Sequence, residues 1–201
     1  MVVERRTQAE RSARTHTALV EAGRRLFAER GFAGVSSEEL ATAAGVSTGA
    51  LYHQFHSKRD LFLAVFEAVE ATANDTIAIA ATKGTDALDG LLQGCLAFLQ
   101  ISSEPEYRRI VLLEGRAVLG WDAWQEVMLR HGLGSTTAAI QFVIKGGLIP
   151  PYDPTALAHV FLGALDAGAV LIAESEDPES AREGVAAVIT GLANGLRTPL
   201  R

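Results

Sequence analysis

Residues Gly45 to Gly49 spell G-V-S-T-G, the G-x-S-x-G spacing that surrounds the nucleophilic serine of α/β-hydrolases. In such an enzyme Ser47 would attack an ester carbonyl from a sharp turn between a hydrophobic β-strand and a helix. The preceding residues, EELATAAG, favour a helix and contain no β-branched run, so the strand that this chemistry requires is missing. We therefore expect that Ser47 is not a nucleophile and that the chain is not an enzyme.

A second pair of residues has the spacing of metal ligands. His53 and His56 are three residues apart and would lie on one face of a helix, but no third ligand is nearby in the sequence. The only cysteine, Cys95, lies in the apolar segment LLQGCLAFL and is expected to be a core thiol. The sequence therefore predicts neither a metal site nor a bound cofactor.

Charge is divided unevenly along the chain, whose net charge is −6. Residues 1–60 carry nine Lys and Arg against seven Asp and Glu, a balance of +2, while residues 61–201 carry nine against seventeen, a balance of −8, and the two sum to −6. Four arginines lie near the N-terminus, namely Arg5, Arg6, Arg11 and Arg14. Such a basic arm either lies along the phosphates of a nucleic acid or is simply a solvated terminus. A polyanionic partner would therefore meet the N-terminal part of the chain.

The elements that must position these residues are all helical. Apolar residues recur at intervals of three and four, and no useful stretch alternates with period two. Helix starts are predicted where a capping residue precedes an acidic residue or a proline, at Ser36, Ser57, Ser103, Asp153 and Asp177. Glycines predict helix ends, and about nine helices result.

Residues 36–56 have the pattern of two short helices joined by a tight turn. Ala41 provides the small side chain that a steep helix crossing needs, and Gly45 can take the positive φ of the bend. Ser47 would cap the second helix and Leu51 would anchor it. The exposed face would then carry small and polar residues able to approach base edges in a major groove, namely Thr48, Gly49, Tyr52 and His53.

Many positions over more than forty residues resemble the DNA-binding signature of the tetracycline-repressor (TetR) family. The matching residues include Leu19 to Gly23, Leu26-Phe27, Gly31-Phe32, Ala44 to Ser47, Gly49 to Tyr52, Phe55 and Lys58. The resemblance implies that Ser36 and Ser37 touch the DNA backbone and that Thr48, Gly49, Tyr52 and His53 face the groove. With Lys58, with Arg14 of the basic arm and with Ser47 at the start of the second helix, these are the predicted DNA-binding residues. The resemblance further implies that Lys58, at the start of the fourth helix, meets a phosphate, where free amides already favour an anion. The sequence departs from the family at two positions. The family often has arginine where His16 stands, and it often has histidine or tyrosine where Gln54 stands.

The last two helices are the predicted dimer interface. Two apolar stripes with intervening glycines and alanines would form a four-helix bundle with their twofold copies, although packing within one protomer is the alternative. The residues predicted at this interface are Phe161, Leu165, Gly168, Val188, Leu192 and Gly195.

The middle of the chain is rich in large apolar residues, and by resemblance it would hold an effector pocket whose occupation shifts the fourth helix. From the residues alone, the aromatic side chains are more simply explained as core. Polar residues among apolar neighbours provide candidate orienting contacts. The resulting pocket candidates are Phe98, Glu114, Trp121, Trp124, Gln141 and Asp166.

These observations predict an all-α protein with two domains. Residues 1–60 form a three-helix helix-turn-helix domain with a basic arm, and residues 61–201 form a helical effector-binding and dimerisation domain. The expected function is a ligand-responsive repressor that binds a palindromic double-stranded DNA operator as a homodimer, in the cytoplasm and without membrane attachment, because no secretory or membrane-spanning segment is apparent. The alternative is a helical protein whose N-terminal domain binds another protein.

Overall fold

The computed structural model describes residues 7–197, and this range contains helices and no β-strand. Its α-helices are α1 (Gln8–Arg30), α2 (Ser37–Ala43), α3 (Thr48–Gln54), α4 (Lys58–Ala81), α5 (Ala87–Ser102), α6 (Pro105–Tyr107), α7 (Arg116–Met128), α8 (Gly134–Lys145), α9 (Pro154–Glu174) and α10 (Pro178–Gly195). Two π-helical segments are π1 (Arg108–Gly115) and π2 (Leu129–Leu133). The all-α prediction is confirmed, with α6 only three residues long. The predicted contacts of Arg5 and Arg6 lie outside the described residues.

Most of the predicted helix starts are present. Ser36 and Glu39 form a capping box, and the carboxylates of Asp153 and Asp177 cap α9 and α10 directly before a proline. The start predicted at Ser103 is wrong. The Ser103 hydroxyl instead donates to the Leu99 carbonyl at 3.2 Å and completes the end of α5, while α6 begins after Glu104 without a side-chain cap.

The segments from α6 to the end of α8 follow one another without a loop and form a helical rod of two parts joined at a kink. It is interrupted at Gly120, whose φ of 72° is the left-handed backbone conformation that favours glycine. The π1 segment packs closely on α4, because a Cβ at Gly115 would lie 2.5 Å from Cε2 of Phe66. π-helical segments are rare and are frequently found at functional positions.

The N-terminal helices α1, α2 and α3 share one apolar core with α4 and with the segment from α6 to α7. Phe27 on α1 and Phe62 on α4 are fully buried, with ring centroids 5.2 Å apart. Leu40 on α2 and Leu51 on α3 are also fully buried in this core. α4 therefore belongs to both parts of the molecule, since its first turns complete the N-terminal domain and its remainder enters the body.

The body has two further apolar cores. One joins α5, α9 and α10 through residues that include Leu99, Phe161 and Ile189. The other joins α5 and α8 through Leu88 and Val143. Because Phe98 packs against both the first core and the α5–α9–α10 core, it marks the boundary between them.

Candidate nucleic-acid interface

The turn between α2 and α3 has the geometry that the sequence predicts. Gly45 has a φ of 69°, and no atom lies within 4 Å of a Cβ built on it, so the backbone conformation rather than space requires glycine. Ala41 is buried where α2 meets its neighbours, and its carbonyl accepts a 3.0 Å hydrogen bond from the Val46 amide. The Ser47 hydroxyl caps α3 by accepting from the Ala50 amide at 3.2 Å. These contacts fix the angle between the two helices.

The exposed face of α3 is polar, and its buried face is apolar. Leu51 is fully buried, while Tyr52 is 47% exposed and both Gly49 and His53 are exposed. Thr48, in the first turn, is partly buried. The start of α3 is therefore narrow and open, as an element that approaches base edges in a major groove must be.

Side chains on α2 adjoin this face. The Tyr52 hydroxyl lies 3.1 Å from Oγ of Ser37 and donates a hydrogen bond to it, so the exposed phenol has a fixed direction. Oγ of Ser36 accepts from the Glu39 amide as a helix cap, and the Ser36 side chain stays exposed. The predicted contact residues Ser37 of α2 and Tyr52 of α3 are thus directly joined.

α1 supports α3 from behind. Nε2 of Gln54 donates to Oγ of Ser12 at 2.8 Å, and the rings of His16 and Phe55 lie 4.9 Å apart. The two residues that depart from the family pattern, His16 and Gln54, are therefore both used to hold α1 against the end of α3. Arg14 is exposed on α1.

The Lys58 ammonium is bound within the protein. Nζ donates to the carbonyls of Phe32 and Val35, each at 2.9 Å, and lies 4.2 Å from the centroid of the Phe32 ring. An ammonium has three N–H donors, so one remains for a phosphate. Lys58 consequently fixes the loop between α1 and α2, a role that the sequence analysis did not assign to it.

Both domains of a known family match this chain, at the positions where the structure has its N-terminal and C-terminal parts. Residues 19–65 match the model described as "Bacterial regulatory proteins, tetR family". Residues 88–196, more than half of the chain, match the model described as "Tetracyclin repressor-like, C-terminal domain". The chain belongs to the TetR family. It is therefore a DNA-binding transcription regulator with a helix-turn-helix domain.

Individual members of the TetR family resemble the chain over most of its length. The Transposon Tn10 TetC protein of Escherichia coli is 27% identical over 158 residues, which are 78% of this chain and 79% of that protein. The crystal structure of a TetR-family transcriptional regulator from Pectobacterium atrosepticum is 35% identical, has a TM-score of 0.85 and covers 98% of this chain and 100% of that chain. AibR, solved in complex with isovaleryl coenzyme A and operator DNA, shares the fold at 22% identity, with a TM-score of 0.62 over 92% of this chain and 100% of that chain.

The candidate effector residues of this TetR-family chain lie in different places. Trp121 and Trp124 stack with ring centroids 5.4 Å apart beneath the Arg116 guanidinium, and Trp121 is half exposed. Gln141 is exposed on α8. Glu114 accepts a hydrogen bond from the N-terminal domain. Spacing along the sequence could not show that these residues lie in different places. The break at Gly120 and the two π segments change which residues of the rod share a face, so regular α-helical spacing does not apply along it.

Phe98 and Asp166 lie near a buried polar group that sequence analysis missed. The hydroxyl of Tyr107 donates to Oε1 of Glu70 at 2.8 Å, and both residues are buried. Burial raises the pKa of Glu70 to about 7, an effect that the Tyr107 hydrogen bond opposes and the Asp166 charge reinforces. Burial also raises the pKa of Asp166. Phe98 contacts Tyr107 edge to face, with ring centroids 6.0 Å apart.

The six residues predicted at a TetR-family dimer interface divide into two sets. Phe161 and Leu165 are buried within the protomer, and Gly168 is packed so closely that a Cβ there would lie 2.6 Å from Val185. Val188, Leu192 and Gly195 are exposed. The exposed set extends to residues of α9 and α10 with open or apolar surfaces: Val160, Gly163, Leu171, Gly184 and Gly191.

Helix α9 is the single described helix whose length and apolar composition would suffice to cross a membrane, and a third of its most apolar stretch is buried in the fold. One face of α9 packs in the core through Phe161, Leu165 and Ile172. Val160 and Leu171, on its other face, are 68% and 59% exposed. The outer face of α9 and α10 is thus apolar and uncovered in the protomer.

Proposed function

We propose that this regulator is a repressor that binds a palindromic operator as a homodimer and releases it when a small molecule binds the body. The observation that carries the DNA part is the surface made by the exposed Gly49, Tyr52 and His53 with the partly buried Ser37 and Thr48, supported from behind by a buried Leu51. Its polar groups are suited to hydrogen bonds with base edges and phosphates, and the small residues allow close approach.

The uncovered apolar face of α9 and α10 supports the homodimer. Val188 and Leu192 on α10 are 62% and 52% exposed. The glycines of the same helix have open space around them, so a neighbouring helix could approach closely there. Exposed apolar surface of this kind marks an association site, and a twofold copy would bury it against itself. A dimer would also supply the second recognition helix, since one helix-turn-helix contacts only one half-site.

The buried polar group beside Phe98 supports an effector site. Glu70, Tyr107 and Asp166 are polar groups in an otherwise apolar region between two cores, which is the composition typical of a small-molecule site. AibR shows that this fold can hold a small molecule together with operator DNA. The description of the matching C-terminal family, repressor-like, supports repression as the direction of control.

The experiment that tests this proposal measures stoichiometry and release together. Sedimentation of the protein with an excess of a selected duplex is expected to give an even number of protomers per duplex. A thermal-shift screen of lipophilic metabolites is then expected to find a compound that raises the melting temperature and lowers operator affinity. One protomer per duplex would contradict the homodimer, and a stabilising compound that leaves operator affinity unchanged would contradict effector-controlled release.

A further inference from the structure

Two hydrogen-bonded contacts join α1 and the loop that follows it in the N-terminal domain to the segment formed by α6 and π1. Nε and Nη2 of Arg24 donate to the two carboxylate oxygens of Glu106 at 2.8 and 2.7 Å. Eight residues further along both segments, the Phe32 amide donates to Oε2 of Glu114 at 2.6 Å. Both pairs are separated by the same 82 residues, so α1 and the α6–π1 segment run in the same direction at these contacts.

The second contact is closely fitted. Gly31 has a φ of 72°, and a Cβ at this position would overlap Oε1 of Glu114. The Glu114 carboxylate can therefore approach the end of α1 only because Gly31 has no side chain. Nη1 of Arg109 lies 3.8 Å from Oε1 of Glu114 and holds the carboxylate from the body side.

The same loop is held from its other side by α4. Lys58 donates to the Phe32 carbonyl, whereas Glu114 accepts from the Phe32 amide, so both polar groups of the Phe32 backbone are bound by side chains. The Phe32 ring also packs at 5.4 Å against Phe62 of α4. The loop between α1 and α2 consequently has little freedom to move relative to the body.

The geometry points to Glu114 as a positioning residue that sets the orientation of the DNA-binding domain relative to the body, with Glu106 as the second point of attachment. Two contacts eight residues apart fix the direction of α1 relative to the α6–π1 segment, whereas one contact would allow rotation about it. Because Glu106 lies in α6 and Glu114 lies near the end of π1, the i to i+5 hydrogen bonding of π1 determines the distance and angle between the two carboxylates. In the homodimer of the proposed function, on which this inference rests, that orientation sets the separation of the two recognition helices.

Spacing discrimination distinguishes this role from general stability. An inverted-repeat duplex selected from random sequence is compared with duplexes in which the half-site separation is changed by one or two base pairs. Glu114→Ala is expected to lower affinity for the selected spacing about tenfold, the effect of losing one hydrogen bond to a charged group. Affinity for the altered spacings is expected to change much less, so the discrimination ratio falls. Glu114→Gln keeps an acceptor for the Phe32 amide and is expected to retain the wild-type ratio.

Controls separate failure of this inference from failure of the proposed function. Glu126→Ala removes another arginine-paired glutamate of the rod, one that contacts Arg130 within the body, and is expected to leave the ratio unchanged. Should Glu114→Ala fail to fold, Glu114→Asp shortens the side chain and gives the same comparison. A wild-type protein that shows no spacing preference contradicts the proposed homodimer. A wild-type preference that Glu114→Ala and Glu114→Asp leave intact, or a uniform loss at every spacing, overturns the positioning role.

Discussion

Tyr107 donates a 2.8 Å hydrogen bond to Glu70, and the two side chains are buried together between α4 and the start of π1. Burial penalises the charged carboxylate more than the Tyr107 hydrogen bond stabilises it, and Asp166 adds a further unfavourable charge. The pKa of Glu70 is therefore raised from 4.5 to about 7. Folding and proton uptake are linked at this position, which makes the stability of the protein depend on pH.

Replacing Glu70 with glutamine is expected to flatten that dependence. Between about pH 4.5 and 7 the folded protein holds a proton that the unfolded chain has lost, so the contribution of Glu70 to stability falls as pH rises through this window. Glu70→Gln keeps an acceptor for Tyr107 but cannot ionise. Its free energy of unfolding, measured by urea titration, is expected to match that of the wild type near pH 4 and to exceed it by on the order of 3 kcal/mol near pH 8.

The control for this measurement is Glu67→Gln, which removes a more exposed carboxylate from the same helix. A stability difference between Glu70→Gln and the wild type that stays constant from pH 5 to pH 8 would show that Glu70 does not titrate in this window.

Tyr52 is expected to contribute to sequence-specific binding. Its phenol is exposed on the outer face of α3 and directed by Ser37. Tyr52→Ala is expected to weaken binding to a selected operator about tenfold, as loss of a base contact does, and to leave binding to unrelated duplex nearly unchanged. Tyr152→Ala is the matched control, because Tyr152 has the same exposure, 47%, and precedes α9 in the body. Equal losses on both duplexes would argue against base recognition by Tyr52.

Arg14 and Lys58 are expected to contribute through phosphates. The slope of log affinity against log salt concentration falls by about 0.9 for each phosphate contact removed, so Arg14→Ala and Lys58→Ala are each expected to reduce it by that amount. Lys83, an exposed lysine in the turn after α4, provides the control substitution Lys83→Ala, for which an unchanged slope is expected. If the slope for Lys58→Ala equals that of the wild type, the Lys58 ammonium makes no phosphate contact and binds only the loop between α1 and α2.

Lys58→Ala is also expected to destabilise the protein. The substitution removes two hydrogen bonds from a charged donor to the carbonyls of Phe32 and Val35, which lowers the free energy of unfolding by about 2 kcal/mol. Arg14→Ala, which changes an exposed side chain, is expected to leave the free energy of unfolding within about 0.5 kcal/mol of the wild-type value. Chemical denaturation of both variants makes this comparison, and equal stabilities would contradict the loop contacts of Lys58.

Val188 tests the dimer interface. A glutamate placed at the centre of an apolar twofold contact would be buried without a partner, so Val188→Glu is expected to shift the protein from dimer to monomer in sedimentation equilibrium. Ile79→Glu is the control, since Ile79 on α4 is 63% exposed and Val188 is 62% exposed. Dimers that persist in Val188→Glu, or dissociation in both variants, would exclude α10 as the specific contact.

The helix-turn-helix was predictable because its determinants are local. Gly45, Ser47 and Leu51 lie within seven residues, and each is fixed by backbone conformation, capping or helix periodicity that can be recognised in the sequence. The helix caps at Ser36 and Asp153 were predictable for the same reason. The cap predicted at Ser103 failed because the same hydroxyl can bond backward to Leu99 and end the preceding helix.

The contacts between the two domains could not be predicted in this way. Glu114 was expected to face a pocket, but its carboxylate reaches Phe32, a residue 82 positions away, and no local pattern specifies such a pair. Its position also depends on π1, whose hydrogen-bonding pattern leaves no recognised signal in the sequence. Glu70 was missed because the sequence does not show whether a single carboxylate on an apolar helix is buried or exposed. Its burial becomes apparent only when its partner Tyr107 is located in the structure.

The proposed function requires that the face of α3 around Thr48 and Tyr52 contacts duplex DNA in two symmetric copies. Selection of random duplexes by the full chain at low salt, followed by sequencing, tests this directly. We expect enrichment of an inverted repeat whose half-site centres are separated by roughly one helical turn or slightly more. Enrichment of a single asymmetric site, or of no sequence, would contradict it.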